Sequence, residues 1–369
     1  MRETSLKTPS SHGRLWKGFL LATFVVVLVG CSGTATQTAT PNQTAAPTAA
    51  PVVTPAPTEA PTPTVTEAPT ATATVAQTEA PAFPMTLTDD EGTEVTLDSE
   101  PQSIVSLTPA NTEIVFAVGA GDRLVGGTDF DDYPPEAAAL PDVVQGIAVL
   151  TEQIIDLEPD LVLAGGNDFT PPAEVQRLRD LEIPVLVVYP QSVDEVLADI
   201  TLIGTAVGAE EEATEIVGGM DARIVEVTSA LEGAETPRTF YEIGFDPEIY
   251  GPAPESFVAD MVTLAGGEAI TTDDPAVFSI PLEQLVAADP EVIVLGDAQY
   301  GTCPPAVGSR PGWEDMTAVQ NDAIVPVYDT IVTRPGPRLA EGLAALALAI
   351  HPEAEITPPA DLPELCLTT

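Results

Sequence analysis

After Lys17 the chain contains no lysine, and beyond its amino-terminal segment the only histidine is His351. Each absence removes a class of chemistry. A phosphate loop of the Walker type needs a lysine to reach the phosphates, so none is expected. One histidine cannot build a histidine-rich metal centre. Beside Pro352 at the end of the last helical stretch, His351 suits the negative end of a helix dipole better than a ligand or base role. Basic residues of any kind are scarce, with 12 Lys and Arg against 57 Asp and Glu and a formal net charge of −45. Such a polyanion excludes nucleic acid and anionic membrane surfaces as partners, because both require basic surface. The acidity reads most simply as a solvated surface suited to a salty or acidic habitat; the alternative is a cation-binding role. Asp131-Asp132 and Asp273-Asp274 fit the same solvated surface better than acid–base catalysis or calcium binding. No Gly-x-Ser-x-Gly elbow is present, so a serine hydrolase lacks support. No catalytic residue, metal ligand or cofactor is expected.

What is there begins with Arg2, Lys7, Arg14 and Lys17, followed by an apolar run from Phe19 to Val29 that ends in Leu28-Val29-Gly30-Cys31. The run is shorter than the roughly 20 residues of a spanning helix. It reads as a signal peptide with a lipobox, cleaved before a lipidated Cys31, which places the rest outside the cytoplasm on the outer face of the membrane. From Thr34 to about Pro84 the chain is almost wholly Thr, Ala, Pro, Val, Gln and Glu, too poor in apolar bulk to offset its ordering entropy, and reads as a tether. Of the three cysteines, lipidation uses one. Cys303 and Cys366 then remain in an oxidising compartment, where a disulfide is the natural pairing and two free thiols the alternative.

After Met85 short apolar β-rich runs alternate with amphipathic helical stretches. Ser103 to Leu107, Leu124 to Thr128, Leu161 to Ala164 and Val185 to Tyr189 form one set, and Thr239 to Ile243, Val292 to Leu295 and Ile324 to Tyr328 a second. Continuous apolar strands followed by helices predict parallel sheets covered on both faces. Ser192 to about Leu231 carries apolar residues near helical spacing and would bridge the sets. The predicted boundaries are 1–31 for the signal segment, 32–84 for the tether, 85–191 for an amino-terminal lobe, 192–235 for the helical bridge, 236–352 for a carboxy-terminal lobe and 353–369 for a tail. A repeat supports two lobes: the fifteen residues from Thr151 to Gly165 align without gaps on Leu282 to Gly296, matching Glu152 with Glu283, Gln153 with Gln284, Pro159 with Pro290 and Gly165 with Gly296. In each copy a helix should stop before its Pro, and a buried strand should run to a Gly where a ligand loop begins. Gly119-Ala-Gly121 follows the helix Asn111 to Val118 and reads as its C-cap and turn.

At Ser103-Ile-Val-Ser-Leu-Thr-Pro-Ala-Asn-Thr-Glu-Ile-Val-Phe-Ala-Val-Gly-Ala-Gly the chain resembles the ABC-transporter substrate-binding proteins for ferric siderophores, haem and cobalamin. Asp132-Tyr-Pro-Pro135, the repeated Glu-Gln helices, Glu255-Ser-Phe with Ala265-Gly-Gly267, Pro311-Gly-Trp313 and Arg334-Pro-Gly-Pro-Arg-Leu-Ala-Glu-Gly342 extend the likeness over most of the folded region. The resemblance implies an α/β fold of two Rossmann-like lobes with parallel sheets, joined by a long rigid backbone helix, the class III periplasmic-binding fold. It implies a monomeric binding protein without catalysis, a metal-chelate ligand, and a permease and an ATPase as partners. An enzyme, a metal-cluster scaffold or a ligand sensor on the same fold is the alternative.

For individual residues the resemblance is more specific. Thr108 before Pro109 suits an N-cap, which would turn the backbone N–H groups around Pro109, Ala110 and Asn111 toward a ligand, or simply start a helix. Phe130 and Arg334 correspond to ligand-touching positions in cobalamin-binding members, and Tyr250 and Phe278 fall near aromatic lining positions. Val144 and Gly165 stand where such members have tryptophan, so cobalamin and ferric siderophore both stay open. Glu152 and Glu283 take the positions of the carboxylates that dock on the permease; as first-turn residues they also complement helix dipoles.

Overall fold

The computed structural model describes residues 83–166 and 169–366. The chain divides into two units, Met1–Ala73 and Thr74–Thr369, and every described residue belongs to the second. The signal segment, Cys31 and nearly all of the tether lie outside the described residues. No helix among the described residues is long and apolar enough to cross a membrane.

Strands Ile104–Ser106, Leu124–Thr128, Asp142–Gln145, Leu161–Gly165 and Val185–Val188 form a parallel sheet, with Ala148–Val149 added antiparallel at one edge. Leu161–Gly165 pairs with Ile104–Ser106 on one side and Val185–Val188 on the other, and Leu124–Thr128 flanks Ile104–Ser106. The second sheet repeats this plan. Val292–Leu295 lies between Arg238–Glu242 and Ile324–Pro326, and Glu268–Ala269 flanks Arg238–Glu242, all parallel.

The repeat extends beyond the aligned segment into local geometry. Glu158 and Asp289, equivalent residues before the repeated Pro, both adopt left-handed backbone, with φ of 48° and 46°. The helix after the first strand of each lobe, Pro109–Ala117 or Phe257–Leu264, is capped by a hydroxyl. Thr108 accepts from the Asn111 N–H and Ser256 from the Ala259 N–H. Gly119 and Gly266, at φ of 81° and 82°, turn the chain after these helices.

Alternation along the strands separates the two faces of each sheet. In the first lobe Ile104, Leu161, Leu163 and Leu186 join one apolar cluster, whereas Val105, Val162, Val185 and Val187 join another. In the second lobe Tyr241, Val292 and Val294 enter the same cluster as Ile104 and Leu161, and Phe240, Ile293 and Leu295 face away from it. One continuous core therefore runs from the inner face of the first sheet, through the bridging helices and the final helix Leu339–Ile350, to the inner face of the second. Each fully buried Leu or Ile in it contributes about 1.5–3 kcal/mol.

Two features depart from the simplest reading. The helical stretch 192–231 is two helices, Val193–Ala206 and Glu210–Ala230, because Gly208 at φ 74° turns the chain between them. The longer one spans about 31 Å at 1.5 Å per residue. Nor are all sheets parallel: Gly244–Phe245, Ile249–Tyr250 and Ser279–Ile280 form a small antiparallel sheet beside the second lobe. The link between its first two strands is too short for a crossover helix, so it can only be a hairpin. A further hairpin, Met85–Thr88 with Glu94–Leu97, precedes the first lobe.

Candidate functional site

In an open parallel sheet the strands deliver their loops at the carboxyl ends, where a ligand can meet several at once. Asp129 to Tyr133 follows Leu124–Thr128, Phe169 follows Leu161–Gly165, and Tyr189 follows Val185–Val188. Phe130 is 57% exposed, Phe169 59% and Tyr133 45%, so these loops present aromatic faces to solvent. The repeated glycine explains how Phe169 comes so near the helix cap: a Cβ on Gly165 would lie 2.7 Å from the Thr108 methyl and 2.8 Å from the Phe169 Cβ. Phe169 also meets Tyr189 edge to face, with ring centroids 6.4 Å apart. Beneath Phe130, buried Asp131 accepts from the Thr128 N–H, the Thr128 hydroxyl and the Thr112 hydroxyl at 2.8–2.9 Å. Burial pushes its carboxyl up against the pull of those bonds.

Between the lobes lies an ionic cluster. The Glu113 carboxylate, on helix Pro109–Ala117 and only 2% exposed, accepts from Arg334 Nη1 at 2.6 Å, and from Arg338 Nε and Nη2 at 2.9 and 2.7 Å. Arg334 Nη1 also donates to Asp132 at 2.6 Å, and the Arg338 guanidinium lies 4.0 Å over the Tyr133 ring. Both arginines flank a segment of the second lobe that abuts the helix start of the first, where a Cβ on Gly336 would stand 3.7 Å from the Ala110 carbonyl. Burial opposes the charge on Arg334, but the bonds to Glu113 and Asp132 outweigh it and hold the guanidinium above its usual value. The fork-shaped contact of Arg338 with Glu113 is the geometry only arginine offers.

The second lobe builds its strand ends differently. Glu242 closes its first strand fully buried, and Arg310 binds it at 2.5 and 2.9 Å. The Arg310 guanidinium lies 4.0 Å from the Phe245 ring centroid and 4.7 Å from that of Trp313. Burial raises the Glu242 carboxyl, and Arg310 opposes the rise. The Tyr241 hydroxyl donates to Asp329 at 2.7 Å, and burial pushes that phenol well above its ordinary value. Asp297 accepts from Thr302 at 2.7 Å through one oxygen, and its other oxygen is buried with no partner among the described residues. Gly296, equivalent to Gly165, is again the point of closest approach, since a Cβ there would lie 2.5 Å from the Tyr241 ring. A cavity of about 690 Å³ opens beside Phe245, Val277, Leu282, Arg310 and Trp313. Among the described residues no three His, Cys, Asp or Glu side chains are grouped to hold a metal ion.

The residues singled out in the sequence fall into two groups. Pro109, Ala110, Asn111, Phe130 and Arg334 converge around the ionic cluster. Ala110 and Asn111 are buried, and the Asn111 amide donates to the Ala164 carbonyl at 3.3 Å, so its side chain fastens the helix start to the sheet. Arg334 is 16% exposed along its side chain. Tyr250 and Phe278 meet at the antiparallel sheet, where Tyr250 pairs with Ser279 and the Gly251 N–H donates to the Phe278 carbonyl at 2.9 Å. Phe278 is 48% exposed. Neither group lines the 690 Å³ cavity. Glu152 and Glu283 are exposed first-turn residues of the two repeated helices, Thr151–Asp156 and Leu282–Ala288, but only Glu152 has an ion-pair partner among the described residues, Arg177 at 2.5 Å. Cys303 and Cys366 form a disulfide with Cα atoms 5.5 Å apart. His351 caps the final helix and its Nε2 bonds the Gly266 carbonyl at 3.1 Å, so the ring ties that helix to the turn after Phe257–Leu264.

Glu113, Phe169 and Arg310 were not singled out in the sequence. Phe169 carries a readable signal, an aromatic just after the repeated strand and its Gly. Glu113 carries none, since a glutamate inside an apolar helix declares its partners only once the second lobe is in place.

A family model for periplasmic binding proteins matches residues 104–327. The chain is 36% identical over 276 residues to an uncharacterized ABC transporter substrate-binding lipoprotein, YvrC, of Bacillus subtilis, covering 73% of this chain and 87% of that protein. It is 30% identical over 281 residues to a cobalamin-binding protein of Halobacterium salinarum, covering 73% of this chain and 75% of the relative. Among solved structures, the periplasmic vitamin B12 binding protein BtuF of Vibrio cholerae superposes with a TM-score of 0.61 at 26% identity, covering 68% of this chain and 97% of that one. With a matching family model over more than half its length and the two-lobed class III fold in place, this chain belongs to the periplasmic binding protein family.

Proposed function

We propose that the protein is the substrate-binding component of an ABC importer, and that it captures a metal chelate of the cobalamin, haem or siderophore type and passes it to a permease. The observation that carries this reading is a set of exposed aromatics, Phe130, Tyr133 and Phe169 on strand-end loops of the first lobe and Phe245 and Phe278 at the small antiparallel sheet beside the second. Flat apolar faces standing in solvent suit the broad organic shell of a chelate, and aromatic contacts contribute beyond their buried area. The cobalamin-binding relative and the B12-binding structural neighbour support the same ligand class. In this reading Phe130, Tyr250, Phe278 and Arg334 touch the ligand. Cys31 carries the lipid that holds the protein at the outer face of the membrane, and Glu152 and Glu283 meet arginines on the two permease subunits, one per lobe.

Titration of the folded chain with cyanocobalamin, haemin and ferric hydroxamates, followed by Trp313 fluorescence and native mass spectrometry, tests the ligand class. Binding of at least one supports it; binding of none, or recovery of a modified ligand, removes it. Glu152→Arg with Glu283→Arg should abolish stimulation of the importer's ATPase with ligand affinity unchanged. Full stimulation by that double variant would refute the docking role.

A further inference from the structure

The ionic cluster carries a consequence for which chelates the protein accepts. Every arginine among the described residues, Arg123, Arg177, Arg179, Arg223, Arg238, Arg310, Arg334 and Arg338, lies within ion-pair distance of at least one carboxylate. No lysine follows Lys17, and His351 is committed to a backbone carbonyl. At the strand ends Arg334 and Arg338 share Glu113, and Asp132 adds a second carboxylate to Arg334. The cluster is thus electrically closed without a ligand. The 690 Å³ cavity repeats the pattern, since its only cation, Arg310, is already bound to Glu242, while Glu248, Asp273 and Asp274 also line it.

We infer that the site selects metal chelates of zero or positive net charge and rejects polyanionic ones; this rests on the reading of the protein as a chelate carrier. A trianionic iron complex would enter a region whose cations are all spent and whose remaining charges are carboxylates. It would have to break an existing ion pair to gain one. Repulsion between a trianion and even one unmatched carboxylate at ~8 Å suffices, at an effective dielectric between protein and water, to weaken binding about tenfold or more. Glu248, Asp273 and Asp274, which have no ion-pair partner among the described residues, act together along the cavity, so discrimination of about a hundredfold is expected at low salt, shrinking as ionic strength rises.

The test measures affinities for three probes: neutral cyanocobalamin, the cationic iron complex ferrioxamine B, and the trianionic iron tris-catecholate ferric enterobactin. Tighter binding of the neutral or cationic probe, by about a hundredfold over the trianion, is the expected result. Equal or tighter binding of the trianion would overturn the charge rule yet leave the carrier function standing, whereas binding of none of the three, nor of haemin, would remove the function and the rule with it. A second variant set keeps the rule open to failure. Asp132 is 55% exposed along its side chain, so Asp132→Asn should fold. It should shift the affinity ratio about tenfold toward the trianion, because Arg334 and Arg338 are then left with Glu113 alone between them, and Asp132→Glu should restore the wild-type ratio. An unmoved ratio in Asp132→Asn would show that the cluster does not set selectivity.

Discussion

The two lobes share one plan and use it differently. Both run strand, capped helix, glycine turn and repeated helix-Pro-strand in the same order. In the first lobe the helix Pro109–Ala117 begins three residues after Ser106. In the second, two strands of the small antiparallel sheet, Gly244–Phe245 and Ile249–Tyr250, are inserted between Glu242 and Phe257, and the cavity opens against that sheet. The charges follow the architecture. The first lobe satisfies its buried strand-end acid, Asp131, with hydroxyls and a backbone N–H, whereas the second buries Glu242 against an arginine held between two aromatic rings. A duplicated frame thus keeps its geometry where strands and caps demand it, and diverges in the loops that meet a ligand.

The contrast is broken most severely by removing a buried cation. Arg310→Ala leaves the buried Glu242 carboxyl without its ion-pair partner, and should cost about 3–5 kcal/mol in urea unfolding. Arg177→Ala, in the first lobe, removes the exposed partner of Glu152 and should cost less than about 1 kcal/mol. Similar losses in both would show that the second lobe does not depend on its buried pair.

The disulfide belongs to the second lobe alone. It closes a separation of 63 residues, for which chain entropy gives about 4 kcal/mol. Cys303→Ser with Cys366→Ser should therefore lower the unfolding free energy by up to that amount. Hydrogen-exchange protection should fall around Val292–Leu295 more than around Leu161–Gly165. Uniform loss across both lobes would mean that they unfold only as one body.

The bridging helices carry a charge conflict of their own. Asp199, on helix Val193–Ala206 and 3% exposed, is pushed up to about 8 by burial, with Asp90 and Glu195 adding like charge; Asp90 also shares a hydrogen bond with it. Since its folded value lies above the unfolded 3.8, the native state binds the extra proton. That stability is fully present below about pH 4 and is lost as pH rises toward about 8. Asp199→Asn should remove a decline on the order of a few kcal/mol across this window, visible as a flatter dependence of Tm on pH. A wild-type-like slope in the variant would assign the decline to other groups.

Much of this frame is legible in the residues themselves. The apolar runs at Val185 to Tyr189 and Val292 to Leu295 coincide with strands, because an uninterrupted, largely β-branched run is buried on both faces. The ungapped repeat coincides with equivalent places in the two sheets, because strand length and the Pro constraint leave little freedom. The antiparallel sheet was not legible, since two-residue strands carry no periodicity. The ionic cluster was not legible either: Arg334 and Arg338 are 221 and 225 residues from Glu113, and nothing local to any of them names the others. Nor does the sequence indicate that the Asn111 side chain fastens the helix start to the Ala164 carbonyl, 53 residues away.

The smallest expected effect is the sharpest probe of equivalence. Thr108 and Ser256 occupy the same place in the two lobes, each accepting a hydrogen bond from the third residue of its helix, at 3.3 and 3.4 Å. An N-cap hydroxyl replaced by alanine ordinarily costs about 1 kcal/mol, because one N–H of the first turn loses its acceptor. Thr108→Ala and Ser256→Ala should each cost about that much if the caps are equivalent in energy as well as in position. Thr108 has a further tie, since its methyl group packs against Gly165, so Thr108→Ser should show a small loss of its own while keeping the cap. The double variant Thr108→Ala with Ser256→Ala should be additive, since the two caps share no partner. A cost confined to one lobe would mean that the other helix is held by packing alone, and that the duplication preserves a shape whose energetic basis has already changed.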